Sequence, residues 1–151
     1  MISTGVALLF IVGCGETTAE TPVACLDGPR AIAGALTNAP NPVRLEGDVP
    51  ISDCLARNQT GGQMANFGAD SVAVATELGL RIKRSGPDSI AASIQGGYLV
   101  GALERGSEES DGIHQALVDR VRSAVVNGVD RVGRPARVHY EAGLTAGEEI
   151  G

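Results

Sequence analysis

Ile113-His114-Gln115-Ala116-Leu117-Val118-Asp119-Arg120-Val121-Arg122-Ser123-Ala124-Val125 carries apolar residues at 113, 117, 121 and 125. Each step is four residues, which places the side chains on one face of a helix of period 3.6. Asp119, Arg120, Arg122 and Ser123 occupy the other face. The stretch predicts an amphipathic helix that packs on other helices and ends at Asn127-Gly128.

Toward the N-terminus, Ile90, Ile94, Tyr98 and Ala102 also step by four, with Leu99 and Leu103 beside them. Asp88 or Ser89 caps this helix, which runs to about Arg105. It contains Gly96, Gly97 and Gly101, each costing about 1 kcal/mol of helix propensity against Ala. A helix that keeps three glycines is expected to cross a neighbour closely on that side. Gly97-x-x-x-Gly101 is best known in membrane helices, but polar residues within reach make this a crossing of soluble helices.

Ile51 to Arg84 is the longest helical candidate, with Ser52 or Asp53 as cap. Met64, Phe67, Val74, Leu78 and Ile82 form its stripe. Thr60-Gly61-Gly62 predicts a break or kink early in it. Arg81, Lys83 and Arg84 favour its C-terminal end. Before it, Asp27-Gly28-Pro29 starts a short helix with Ile32, Ala35 and Leu36 on one face. Pro40 and Pro42 stop that helix. Val43-Arg44-Leu45-Glu46-Gly47 alternates apolar and polar and is expected to be extended, a strand without a clear partner. Beyond Gly128, a last helix begins at Pro135 and holds Val138 and Leu144, although Val138-His139-Tyr140 could equally be extended. Gly147 to Gly151 is expected to fray. Short connections favour antiparallel neighbours, so the expected fold class is all-α, a small up-and-down bundle.

The chain has 151 residues, which suits one domain. Hydrophobic residues make up 43%, enough for a core, but aromatics only 3%, too few for a platform that stacks bases. The net charge of −6 repels phosphate backbones. Nucleic acid is therefore not an expected partner.

Catalytic patterns are sparse. His114 and His139 are the two histidines. Asp111 precedes His114 by three residues and Glu141 follows His139 by two; such pairs can orient a general base or hold a metal. The plainer reading makes Asp111 a helix cap and puts His114 in an exposed first turn. No G-x-S-x-G, H-E-x-x-H or EF-hand loop occurs. Glu108-Glu109 and Glu148-Glu149 read as solvated loop acids, and no CxxC suggests a metal. No cofactor and no metal site are expected. Arg131, Arg134 and Arg137 read as an ion-paired helix surface, with an anionic glycan or lipid headgroup as the functional alternative. A ligand groove between helices would be lined by Met64, Phe67 and Tyr98.

Val6-Ala7-Leu8-Leu9-Phe10-Ile11-Val12 is a seven-residue apolar run. It is far shorter than the roughly 20 residues of a membrane-spanning helix and suits the core of a signal peptide. It ends in Ile11-Val12-Gly13-Cys14. This tetrapeptide resembles the lipobox of bacterial lipoproteins. The resemblance implies that Cys14 receives the lipid and that cleavage falls just before it. It covers the targeting segment alone. The Lys or Arg that usually opens such signals is missing from residues 1–5. The amino group then supplies the only positive charge, or the true start lies upstream of Met1.

That assignment divides the chain into a signal peptide at 1–13, a lipid-attachment site and flexible tether at 14–22, and a single helical domain at 23–151. It places the domain in the cell envelope, on the outer face of the cytoplasmic membrane or in the periplasm, with the membrane as partner through the lipid. It also leaves Cys25 and Cys54 as an even pair in an oxidising compartment. Bridged, they would clip the N-terminal side of the bundle; unbridged, they are two buried thiols. The expected function is a non-enzymatic binding module for a protein or small-molecule ligand. The alternative is an envelope hydrolase or lyase using His114 or His139, and a third option is a structural envelope component.

Overall fold

The computed structural model describes residues 20–110, 112 and 114–151. The signal segment, Cys14, most of the tether, Asp111 and Ile113 lie outside the described residues. The fold is an all-α bundle, as the periodicity predicts. Its helices are α1 (Pro29–Ala35), α2 (Gly61–Lys83), α3 (Pro87–Glu109), α4 (Gln115–Val132) and α5 (Arg134–Ile150). Two short strands, β1 (Arg44–Leu45) and β2 (Val49–Pro50), pair antiparallel. The strand expected to lack a partner thus has one, five residues on. Gly47 with φ 72° makes the reversal between them.

The segment from Ile51 divides where Thr60-Gly61-Gly62 predicts. Ile51–Cys54 is a 3-10 turn, and α2 begins only at Gly61. Thr60 sets that start through a capping box. Its Oγ1 accepts from Gln63 N at 3.2 Å, and its own N donates to Gln63 Oε1 at 3.1 Å. Ser52 caps nothing; its hydroxyl is buried and donates to the main-chain oxygen of Gly151 at 2.7 Å. Asp27 makes no cap either, since Gly28 with φ 88° precedes α1.

Helix α3 lies at the centre. From Ala92 to Leu103 nearly every side is buried, against α2, α4, α5 and the Ile51–Cys54 turn. Burial all round explains its weak amphipathicity. Ile90 is the exception in the expected stripe: it is 49% exposed, near the outer end. Pro87 opens the helix, Ser89 hydrogen-bonds the Gly86 carbonyl at 2.8 Å, and the last turn extends to Glu109.

The helices run up and down in sequence, yet the closest packing joins helices two apart. Gly97 and Gly101 of α3 face Tyr140, Leu144 and Gly147 of α5, with both indices rising together. Gly68 and Gly79 of α2 likewise face Leu117 and Ala124 of α4. Both pairs are therefore parallel, and glycine brings their backbones into contact. Contrary to the expectation that Asn127-Gly128 ends α4, the helix runs through Gly128. Gly128 rests on the Gly79 carbonyl; the helix stops at Gly133, where φ is 83°. The tail does not fray. Gly147 and Gly151 are buried against Tyr98 and Ala102 of α3.

Cys25 and Cys54 form a disulfide, with Cα atoms 5.5 Å apart. It ties the Val23–Leu26 turn to the Ile51–Cys54 turn, and both residues belong to the one hydrophobic core. Among the described residues no helix is long and apolar enough to cross a membrane.

Candidate functional site

The groove expected at Met64, Phe67 and Tyr98 does not form. Phe67 and Tyr98 have 0% exposure, because large apolar rings are what the centre of an aromatic-poor core can least spare. Tyr98 is spent on structure: its Oη accepts from Val43 N at 3.0 Å and donates to Ile150 O at 3.3 Å. Met64 is half-buried at a separate shallow hollow beside Gly68 and Leu117.

His114 is not in an exposed turn. It occupies the N-cap position of α4 at 1% exposure. Its Nδ1 lies 2.8 Å from Ser110 Oγ, and Ser110 Oγ donates to Ser107 O at 3.0 Å. One hydroxyl proton cannot serve both bonds. With it on the Ser107 carbonyl, the ring proton sits on Nδ1 and points at Ser110. Burial lowers the His114 pKa. A serine–imidazole pair is chemically a nucleophile and base, but here both members are sealed from substrate. His139 is half-buried on α5, and no hydrogen bond joins it to His114 among the described residues. No group of three potential metal ligands occurs among them.

A second polar cluster pins three helices. Arg122 of α4 ion-pairs with Glu104 of α3, and its Nη1 stands 3.8 Å from Asp119. The Arg122 guanidinium also lies near the Tyr140 hydroxyl of α5. Burial pushes that hydroxyl's pKa up, and the guanidinium beside it pulls the other way. On the surface Arg137 pairs with Asp130 at 2.5 Å, whereas Arg131 and Arg134, expected on the same ion-paired face, form no ion pair among the described residues.

A mostly apolar, open hollow of about 240 Å³ lies between α1 and α2. Leu36, Val74 and Leu78 form its apolar floor. The α1 helix is only seven residues long, and Ala33 and Ala73 put no bulk into the gap. The rim is polar. Arg81 Nη1 donates to Gln95 Oε1 at 3.3 Å, and Gln95 is 8% exposed. Arg30 stands at the mouth. Glu77, also on the rim, is held by Arg84 at 3.1 Å. Sequence reasoning did not single out Arg81 or Gln95 as lining a hollow. Their one signal was position: Arg81 follows Val74 and Leu78 on one face of α2, and Gln95 interrupts an apolar face of α3.

Compared with protein-family models, with curated proteins and with solved structures, the chain matches none.

Proposed function

We propose that this protein is a lipid-anchored extracytoplasmic binding module of a bacterial envelope, without catalytic activity of its own. The observation that carries the reading is Ile11-Val12-Gly13-Cys14 at the end of the apolar run Val6–Val12. The disulfide supports it in two ways. It uses both other cysteines, so Cys14 is the one thiol left for acylation. Such bridges also persist in compartments outside the reducing cytosol. The domain would be attached by its N-terminus to the outer face of the cytoplasmic membrane or to a periplasmic membrane surface, with the residues after Cys14 as its tether. An envelope hydrolase or lyase working through His114 or His139 has weaker support, since His114 is 1% exposed beside an equally buried Ser110.

Fractionation of bacterial cells expressing the wild-type chain and Cys14→Ala tests the reading. The wild type is expected in the membrane fraction and in the detergent-rich phase of a phase partition. Cys14→Ala is expected in the aqueous phase. A wild-type chain that partitions like Cys14→Ala overturns the anchor.

A further inference from the structure

We propose that the hollow between α1 and α2 is a binding site for a small amphiphilic carboxylate. Its apolar body would lie on Leu36, Val74 and Leu78, and its carboxylate would sit between Arg81 and Gln95. This deepens the reading of the domain as a binding module by naming its ligand class.

Three observations converge. The first is an open, mostly apolar concavity of about 240 Å³. Drug-sized ligands occupy roughly 300–1,000 Å³, so the occupant is a smaller molecule. The second is the state of Gln95. A guanidinium has no acceptor, so the Gln95 amide must turn Oε1 toward Arg81, which fixes its flip. Its Nε2 then makes no hydrogen bond to the described residues and is open to solvent, on a side chain that borders the hollow. The third is charge. Arg81 forms no ion pair among the described residues, and neither does Arg30 at the mouth, while the nearby Glu77 is engaged by Arg84.

A carboxylate satisfies this arrangement, accepting from the guanidinium and from the Gln95 amide at once. An ammonium would face the Arg81 and Arg30 guanidiniums, and the rim carboxylate of Glu77 is already held by Arg84. A purely apolar molecule would displace water from the Gln95 amide without replacing its hydrogen bond. The net charge of −6 does not oppose the fit at close range, because charges beyond about 8–10 Å are screened at physiological salt.

Amide chemical-shift mapping of the full chain carrying Cys14→Ser tests the proposal, with sodium octanoate, octyltrimethylammonium and octanol as probes. Octanoate is expected to bind saturably, with shifts centred on Ala33, Leu78, Arg81 and Gln95. Octyltrimethylammonium and octanol are expected to bind at least about tenfold more weakly, as is octanoate to Arg81→Gln. Ala33→Phe projects from an exposed position into the hollow and is expected to abolish octanoate binding with an unchanged circular dichroism spectrum. If Ala33→Phe does not fold, Arg81→Gln carries the test. Equal binding of octanoate and octyltrimethylammonium, shifts centred elsewhere, or no saturable binding overturns the proposal. Each of those results leaves the membrane partition of the wild type untouched. A soluble wild type that still binds octanoate overturns the anchor and not the site.

Discussion

Gly97 of α3 lies against the Tyr140 carbonyl of α5 so closely that a methyl group cannot be placed between them. The same holds at Gly101 under Leu144, and in the reverse direction at Gly143 under Ile94. The two backbones touch along a stripe of missing side chains. This contact helps to join the last helix to the centre of the bundle.

Gly97→Ala therefore sets two effects against each other. Alanine gains about 1 kcal/mol of helix propensity. It also drives two helix backbones apart, and overpacking costs about 1–3 kcal/mol or more. The added carbon meets backbone and not a flexible side chain, so the cost falls at or beyond the upper end and a net destabilisation of about 2 kcal/mol or more is expected in urea unfolding. Gly34→Ala is the control, since nothing lies within 4 Å of the added carbon. It is expected to be neutral or to stabilise by about 0.5–1 kcal/mol.

Tyr98→Phe keeps the buried ring and removes the hydroxyl that bridges Val43 N and Ile150 O. The Val43 amide is then sealed in the core without an acceptor. The expected cost is about 1–3 kcal/mol. A lower urea midpoint at unchanged slope is the signature.

Reduction of Cys25–Cys54 opens a loop of 29 residues. The chain-entropy relation assigns such a loop about 3.5 kcal/mol. A matching loss is expected between oxidised and reduced protein, or between wild type and Cys25→Ser/Cys54→Ser, in denaturant titrations.

His114 makes stability depend on pH. Burial holds its folded-state pKa below the unfolded value of 6.5, so the unfolded chain takes the proton first. Its contribution is complete above pH 6.5 and is lost as the pH falls from there toward the depressed value. The urea midpoint of the wild type is expected to drop between pH 7.5 and pH 5 more steeply than that of His114→Gln. Parallel profiles would remove His114 as the cause.

The sequence was most legible where burial is done by side chains. Leu117, Val121 and Val125 in α4, and Val74, Leu78 and Ile82 in α2, lie in the core as their spacing predicts. It was least legible where burial is done by backbone. Gly143 and Gly147 carry the packing face of α5, yet hydropathy assigns glycine no face, so that helix looked weak and its end looked frayed. Gly128 looked like a stop because composition cannot tell a close-packed glycine from one with positive φ. His114 was misplaced because the turn that buries it is set by Ser107 and Ser110, not by its helical phase. The ligand candidates failed for a related reason: size and apolarity draw Phe67 and Tyr98 into the core. The hollow instead arises where α1 settles on α2, a tertiary event in which Arg81 first looks like an ordinary cation at a helix end.

The mass of the intact protein extracted from bacterial membranes bears most directly on the whole account. The expected species begins at Cys14, carries a diacylglyceryl group there and holds its other two sulfurs joined. A chain that still begins at Met1, with the Cys14 thiol unmodified, would contradict it.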